Sequence, residues 1–274
     1  EKIIISDFLN KEMTGIERYV RNILKEFNNL NLTREFILVT DQKNNFFNFH
    51  IQVIDNPLKF ISKTYAWLIY LNFKKELKNK LVHNPSVPIF FNSDKLVTTI
   101  HDLTVITNPK EHSFLRKLIL RSFMPISLRN SKKIIAVSES TKRDLLRYFK
   151  IPKSKVKVIY HAADQKYKPL PEKEKKRVKQ KYFLDFPYVL YVGTLEPRKN
   201  IPTLIKAYSK IKNTVPHKLV IVGKKGWKYK EIFKTIEKLK LENDVVFTGY
   251  VDEEDLPGLY AGADLFVYPS LYEG

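Results

Sequence analysis

The chain has 274 residues, 43% of them hydrophobic, so it can bury the core of one or two domains and is not a disordered chain. Lys and Arg residues number 49 and Asp and Glu residues 29, and the net charge of +20 favours phosphates, nucleic acid or an anionic membrane surface as partners. The lack of cysteine excludes disulfides and thiolate metal sites and is compatible with a reducing cytoplasm.

The start of the sequence does not resemble a signal peptide. The longest apolar run, Tyr65 to Leu71, is far shorter than the ~20 residues of a transmembrane helix. We therefore expect a cytoplasmic protein, with peripheral association at the inner face of the membrane as an open alternative.

The first half of the chain alternates predicted strands and helices. An apolar run at Ile3 to Ile5 predicts the first strand, and Thr14 to Glu17 has the pattern of a helix-capping box followed by a helical apolar stripe. Further strands are predicted at residues 36–39, 51–54, 96–100, 133–137 and 156–160, and helices through residues 65–81 and from a Ser138 cap to Phe149. This alternation predicts a mainly parallel, doubly wound sheet.

The composition changes to Lys, Glu, Pro and Gln between Ala163 and Pro187, which predicts a linker with an exposed helix. From Tyr188 the alternation begins again, with strands at residues 188–192, 218–222, 245–247 and 265–267. We therefore predict domains at residues 1–165 and 188–274, joined by a linker at residues 166–187. A doubly wound domain usually has more strands than four, so we expect the second domain to be incomplete in this sequence.

The loop after the strand Tyr188 to Val192 contains the first candidate binding residues. Gly193 ends the strand, Arg198 and Lys199 follow, and Asn200 is a predicted N-cap of the next helix. Cations beside a glycine at a helix N-terminus suit a diphosphate, although a solvated loop explains the same charges. Neither the G-x-G-x-x-G fingerprint nor a P-loop ending is present. The helix is predicted from an apolar stripe at Ile201, Leu204, Ile205, Tyr208 and Ile211.

Both halves of the chain contain several short motifs, and the order of these motifs along the sequence is informative. In the second half they are Val192 to Asn200, Ile221 to Gly223, Phe247 to Tyr250 and Ala263 to Gly274, and in the first half Thr14 to Tyr19, His101 to Leu103, Ala136 to Thr141 and Val158 to Tyr160. Together they resemble the retaining family 4 glycosyltransferases of GT-B fold. Motifs in register are more specific than any single one of them. The resemblance implies an α/β protein with two Rossmann-like, doubly wound domains facing a cleft.

The resemblance also implies a set of catalytic residues. Arg198 and Lys199 would hold the diphosphate of a nucleotide sugar and stabilise the leaving group, and Glu273 would contact hydroxyls of the donor sugar. Glu273 resembles the first carboxylate of the family's E-x7-E motif, whose second carboxylate would lie beyond residue 274. His101 resembles the family's histidine that faces the transferred sugar. From the residues alone, the favoured interpretation of His101 is instead a strand-end histidine hydrogen-bonded to backbone, with Asp102 capping a turn.

Further residues are predicted to contact the donor. By resemblance, Gly15 and Gly193 lie near the phosphates and the sugar. Gly223, Tyr250 and Val251 would surround the base, largely through backbone contacts.

The resemblance implies metal-independent transfer with retention, without any cofactor besides the donor substrate. No paired carboxylates for glycosidase-like chemistry are evident. The segment Thr14 to Tyr19 resembles mannosyltransferases of surface polysaccharide assembly. This resemblance favours GDP-mannose over a UDP-linked sugar as the donor, and it implies a saccharide or lipid-linked acceptor. Two other interpretations stay open: a basic nucleic-acid-binding module and an inactive fragment of the enzyme. Aromatic residues at core-facing spacings argue against nucleic acid as a partner.

Two segments combine cations with an apolar stripe. Phe114 to Phe123 can form an amphipathic helix, and Tyr65 to Tyr70 is followed by Lys74 and Lys75. Such helices bind anionic membrane surfaces, but the same pattern fits helices that pack on a sheet.

Overall fold

The computed structural model describes residues 2–5, 15–40, 49–53, 80–85, 95–109, 112 and 114–274. Contacts within the chain define two compact units, with the second extending from Ala162 to Glu273. Each unit contains a parallel sheet with helices, which confirms the predicted α/β class.

The first unit is built on a sheet of seven strands in the described part of the chain. Their order is β3-β2-β1-β4-β5-β6-β7, and every neighbouring pair is parallel. The strands are β1 (Lys2–Ile5), β2 (Phe36–Thr40), β3 (His50–Val53), β4 (Leu81–Asn84), β5 (Lys95–Ile100), β6 (Lys133–Ala136) and β7 (Val156–Val158).

Strand β4 was not predicted from the sequence. Leu81 was placed at the end of a helix, whereas the structure has it at the start of a strand between β1 and β5. The prediction was wrong here because Leu81–Asn84 is short and only half apolar, although Val82 and Asn84 are both fully buried. Residues 65–79 of the predicted helix, including the segment Tyr65 to Tyr70, lie outside the described residues.

The helices described in the first unit are α1 (Gly15–Asn29), α2 (Thr104–Thr107), α3 (Phe114–Asn130) and α4 (Glu139–Tyr148). The predicted cap of α4 is confirmed, because the Ser138 hydroxyl accepts a hydrogen bond from the Thr141 backbone N–H at 2.9 Å. Helix α3 packs Leu120, Met124 and Leu128 into the core of this unit. Among the described residues, no helix has both the length and the apolar character needed to cross a bilayer.

The second unit contains a parallel sheet of four strands in the order β10-β9-β8-β11. The strands are β8 (Tyr188–Val192), β9 (Lys218–Val222), β10 (Val245–Gly249) and β11 (Leu265–Phe266), and the helices are α5 (Glu172–Lys181), α6 (Ile201–Ile211), α7 (Lys230–Leu239) and α8 (Leu256–Gly262). Strand β8 is central and buried on both faces, as its continuous apolar run predicts. The apolar stripe of α6 is buried as predicted except at Ile211, which is exposed.

The predicted linker at residues 166–187 lies within the second unit. Its helix α5 exposes most of its charged residues but buries Val178, and Leu184 beyond the helix is also fully buried. Asp255, just before α8, is buried and accepts hydrogen bonds from Arg177 and Tyr182 at 2.8 and 2.9 Å. Lys181 donates to the same carboxylate. Helix α5 is therefore attached to α8 and is not a free spacer.

Candidate functional site

The candidate site of the second unit lies at the carboxyl ends of its strands. Strand β8 ends at Val192 and is followed by Gly193, β9 is followed by Gly223, and β10 ends at Gly249. Strand β11 leads into Tyr268. Because all four strands are parallel, these loops emerge at one edge of the sheet, where α/β proteins bind ligands.

Glycines allow the loops at this edge to pack against one another. Gly223 has φ +147°, and a Cβ there would lie 2.0 Å from the Gly193 carbonyl oxygen. A Cβ on Gly193 would lie 2.7 Å from the Tyr191 hydroxyl. The Gly193 N–H donates to the Val222 carbonyl at 2.8 Å and the Gly223 N–H to the Gly249 carbonyl at 2.9 Å. A side chain at Gly223 would therefore separate the loops of β8 and β9.

The loop that carries the cations is a 3-10 turn, Pro197–Lys199, followed by Asn200. Asn200 occupies the predicted N-cap position, but its side chain makes no cap hydrogen bond to the helix backbone. Its backbone is left-handed, with φ 56°, whereas N-cap residues have extended backbone. Its amide instead donates to the Pro269 carbonyl at 3.2 Å and accepts from Thr203 at 2.7 Å. Asn200 thus joins the cation loop to the segment after β11.

Lys199 and Arg198 share one carboxylate. The Glu273 Oε1 atom lies 2.6 Å from Lys199 Nζ and 2.9 Å from an Arg198 guanidinium nitrogen. Arg198 also contacts Glu196 at 2.8 Å and donates to the Tyr272 carbonyl at 2.7 Å. Lys199 is buried, and its Nζ also donates to the Tyr268 hydroxyl. Two cations and two carboxylates therefore form one compact, charge-balanced cluster.

The environment of this cluster favours the ionised forms of Glu273 and Arg198. Burial alone would raise the pKa of Glu273, but hydrogen bonding to Lys199 and Ser270 and the charges of Lys199 and Arg198 bring it below its ordinary value. Burial alone would lower the pKa of Arg198, but Glu273 and Glu196 raise it above its ordinary value. The cluster can therefore present fixed positive charge to an anion that replaces a carboxylate.

The residues predicted to surround the base differ in exposure. Tyr250 follows β10 and its side chain is 57% exposed, whereas Val251 is 4% exposed and packs in the core. Val251 can therefore offer a ligand only its backbone, and the predicted backbone contacts with the base stay a prediction. The structure places the predicted residues Gly193, Arg198, Lys199, Gly223, Tyr250 and Glu273 at the same sheet edge.

His101 belongs to the first unit, where it follows the carboxyl end of β5. Its Nε2 atom lies 2.8 Å from the Pro85 carbonyl oxygen, which can only accept, so Nε2 carries the proton and Nδ1 is left as an acceptor in the neutral ring. Burial lowers the pKa of His101, so the ring is neutral at pH 7. Asp102 accepts a hydrogen bond from the Thr104 N–H at 2.8 Å. His101 is therefore hydrogen-bonded to backbone and Asp102 caps a turn, as the structural interpretation predicts. The neutral His101 ring still has Nδ1 as an acceptor for a ligand.

His101 is part of a group of rings that the sequence did not indicate. Tyr19 packs edge-on against it with 4.8 Å between ring centroids, and His161 lies 5.6 Å away. His83 donates to or accepts from Thr99 at 3.0 Å, and burial followed by the charge of His101 lowers the pKa of His83 to about 4. His83, His101 and His161 are separated by 18 and 60 positions along the chain and form no local motif, so only the fold brings them together.

Gly15 is the first residue of α1 and is exposed. A Cβ at this position would meet no described atom within 4 Å. The structure thus gives no steric reason for a glycine here, and the predicted contact of Gly15 with the donor stays a prediction. Among the residues that the structure describes, no three His, Asp or Glu side chains are grouped as metal ligands.

Sequence reasoning assigned no role to Tyr268, or to Glu196 in the cation loop. Tyr268 lies 69 residues beyond Lys199, with which it forms a hydrogen bond. The available signal was its position directly after the last predicted strand, at the edge where the cation loop was already expected.

The fold and the site together define an α/β protein of GT-B type. Comparison with solved structures agrees: WaaG, a glycosyltransferase involved in lipopolysaccharide biosynthesis, matches with a TM-score of 0.72 at 17% identity, over 99% of this chain and 75% of that one. HepE from Anabaena, solved with UDP and glucose, matches with a TM-score of 0.70 at 19% identity, over 98% and 74% of the two chains.

Sequence comparison gives the family. The model of Glycosyltransferase Family 4 matches residues 13–167, more than half of the chain, and that of Glycosyl transferases group 1 matches residues 172–274. The chain therefore belongs to glycosyltransferase family 4. O-antigen chain mannosyltransferase B of Escherichia coli is 34% identical over 212 residues, which cover 76% of this chain and 54% of the relative. O-antigen chain mannosyltransferase RfbU of Salmonella typhimurium is 26% identical over 80% of this chain and 57% of its own length. The chain thus spans little more than half the length of these relatives.

Proposed function

We propose that the protein transfers a sugar, with mannose from GDP-mannose preferred, from a nucleotide diphosphate sugar to a saccharide or lipid-linked acceptor in surface polysaccharide synthesis. The observation that carries this proposal is the pair Arg198 and Lys199, held with Glu273 at the ligand-binding edge of the second sheet. The choice of mannose is supported by the two O-antigen mannosyltransferases that the chain resembles.

In the proposed reaction, an acceptor hydroxyl oxygen forms a bond to the anomeric carbon of the sugar while the bond between that carbon and the diphosphate breaks. The diphosphate leaves with the bonding electron pair and takes up the hydroxyl proton, so negative charge develops on it during the transfer. Arg198 and Lys199 are fixed by their neighbours before the ligand arrives, so they can stabilise that charge without reorganising. This positioning supports a metal-independent mechanism. Glu273 would then contact hydroxyls of the donor sugar, and His101 would face the transferred sugar with Nδ1 as an acceptor. Retention of the anomeric configuration remains a proposal based on family resemblance.

We further propose a peripheral contact of α3 with an anionic membrane surface on the cytoplasmic side. The apolar residues Phe114 and Leu118 are 76% and 54% exposed, while the opposite face of α3 packs in the core. The cations Lys117 and Arg121 lie beside them. An exposed apolar side chain flanked by cations is the pattern of interfacial helices. A double variant, Phe114→Ser with Leu118→Ser, should reduce cosedimentation with anionic vesicles, and equal binding to neutral vesicles by the unchanged protein would contradict the proposal.

The donor site can be tested by the midpoint of thermal unfolding in the presence of GDP, UDP, ADP or inorganic phosphate. A ligand at 100 times its dissociation constant stabilises the native state by about 2.7 kcal/mol, which shifts the midpoint measurably. We expect one nucleoside diphosphate to raise the midpoint, Lys199→Ala to abolish the rise, and Lys206→Ala to leave it unchanged. Lys206 is the matched control because it is an exposed lysine on α6 of the same unit. A rise caused only by short single-stranded DNA or RNA would favour a nucleic-acid-binding protein instead.

A further inference from the structure

Lys199 has two different kinds of partner. Its Nζ atom lies 2.6 Å from a carboxylate oxygen of Glu273 and also donates to the hydroxyl of Tyr268. The Lys199 side chain is buried, so its ammonium group needs such partners to stay in this position. A diphosphate that binds Lys199 would compete with the Glu273 carboxylate for the same cation. It need not compete with the Tyr268 hydroxyl, which is neutral.

Packing fixes the Tyr268 hydroxyl in space. The Tyr268 ring is stacked on Tyr191 with 5.8 Å between centroids and 11° between planes, and on Phe266 with 6.1 Å and 19°. Tyr191 itself is fully buried in the central strand β8. A tyrosine has two rotatable side-chain bonds, and the stacking restrains both. The hydroxyl is thus a rigid acceptor at a set distance from the strand that precedes the cation loop.

Tyr268 also remains protonated under ordinary conditions. Burial and the charge of Glu273 raise the pKa of Tyr268 above its ordinary value. The hydroxyl therefore keeps its proton and accepts a hydrogen bond from the Lys199 ammonium group.

We propose that Tyr268 is a positioning residue for the donor diphosphate, because its hydroxyl holds Lys199 Nζ in place after the diphosphate has displaced Glu273. The inference rests on the proposed function, since it assigns Tyr268 a role in the same donor site. Tyr268 acts through Lys199 and need not touch the donor.

The test is Tyr268→Phe, with Tyr191→Phe as the matched control. Both substitutions remove one hydroxyl oxygen from a ring of the same stacked pair. The Tyr191 hydroxyl is buried and has no hydrogen-bond partner among the described residues, so its removal should leave ligand binding unchanged. Dissociation constants are measured by isothermal titration calorimetry for GDP, GMP, UDP and UMP, and the ligand-free midpoint of unfolding is recorded for each variant.

We expect Tyr268→Phe to weaken binding of the preferred nucleoside diphosphate about tenfold, as for the loss of one hydrogen bond to a charged group. The monophosphate lacks the second phosphate of the diphosphate that Lys199 is proposed to hold, so its affinity should change less than about twofold. This difference separates positioning of Lys199 from a general structural effect, which would weaken both ligands alike. Tyr191→Phe should change neither affinity by more than about twofold.

Several outcomes would overturn the inference. One is unchanged diphosphate affinity in Tyr268→Phe, and another is equal weakening of diphosphate and monophosphate. If Lys199→Ala abolishes diphosphate binding while Tyr268→Phe does not weaken it, the inference fails and the proposed function stands. If the unchanged protein binds no nucleoside diphosphate, both fail.

Discussion

Replacement of Glu273 by Gln is predicted to strengthen the binding of sugar-free GDP or UDP, although Glu273 belongs to the proposed donor site. The carboxylate occupies both cations that would bind the diphosphate, at 2.6 Å from Lys199 and 2.9 Å from Arg198. A diphosphate must therefore break two ion pairs before it can form its own. An amide at this position keeps the shape of the side chain but removes the charge that competes with the ligand.

The size of the effect follows from the exposure of the carboxylate. The Glu273 side chain is 45% exposed, so solvent screens both ion pairs, and each is worth about 0.5 kcal/mol. Release from the two pairs together contributes about 1 kcal/mol, which corresponds to about a fivefold increase in affinity. The increase should be absent for nucleotide sugars whose hydroxyls need the carboxylate.

Isothermal titration calorimetry with GDP and UDP measures this increase directly. Asp244→Asn is the matched control, because it also removes one negative charge and breaks an ion pair, that of Asp244 with Lys212 at 2.8 Å. Asp244 directly precedes β10 and so lies at the amino ends of the strands, away from the cations. Weaker or unchanged binding of the diphosphate by Glu273→Gln would refute the reasoning, as would an equal increase in the control.

Three further predictions concern stability. Asp255→Ala should lower the free energy of unfolding, measured in urea, by about 2 kcal/mol, because Arg177 and Lys181 of α5 lose their buried partner. Asp252→Ala, which removes an exposed partner of Lys181, should change stability far less. Because the pKa of His83 is about 4 in the folded state and about 6.5 in the unfolded state, the protein should lose about 3 kcal/mol as the pH falls from 6.5 to 4. His83→Gln should flatten that pH dependence, and equal slopes in the two proteins would contradict the assignment. Gly223→Ala should lower the free energy of unfolding by more than about 3 kcal/mol, because the new Cβ would overlap backbone atoms of the neighbouring loop. Gly249→Ala should lower it by only about 1 kcal/mol, because Gly249 has φ +73° but open space around a Cβ. Equal losses in the two variants would contradict this reasoning.

The sequence predicts the fold well where a strand is a continuous apolar run. Tyr188–Val192 and Lys218–Val222 were predicted with the bounds that the structure shows, because both are rich in β-branched or aromatic residues and end at a glycine. Leu81–Asn84 was missed because its burial depends on its place between β1 and β5, which no local pattern reveals.

The same distinction applies to the candidate site. Arg198 and Lys199 could be found because they adjoin Gly193 and a predicted helix, all within one short stretch. Their partners Tyr268 and Glu273 lie about 70 positions away along the chain, so the hydrogen bonds and ion pairs required the parallel sheet to bring β8 and β11 together. Asn200 shows the reverse error, since its type suggested a cap while its left-handed backbone directs the amide to Pro269.

The net charge of +20 is not concentrated at the candidate site. At the candidate site, Arg198 and Lys199 are balanced by Glu196 and Glu273, so the cluster contributes no excess charge. Much of the excess lies elsewhere, for example on α5, where six of ten residues are Lys or Arg. In the proposed donor site, the cation pair would therefore select a diphosphate by exchanging the Glu273 carboxylate for the ligand's own negative charge at fixed positions. The basic surface attracts anions from a distance, but recognition of a diphosphate would depend on the geometry that Tyr268, Gly223 and the strand ends impose on the cation pair.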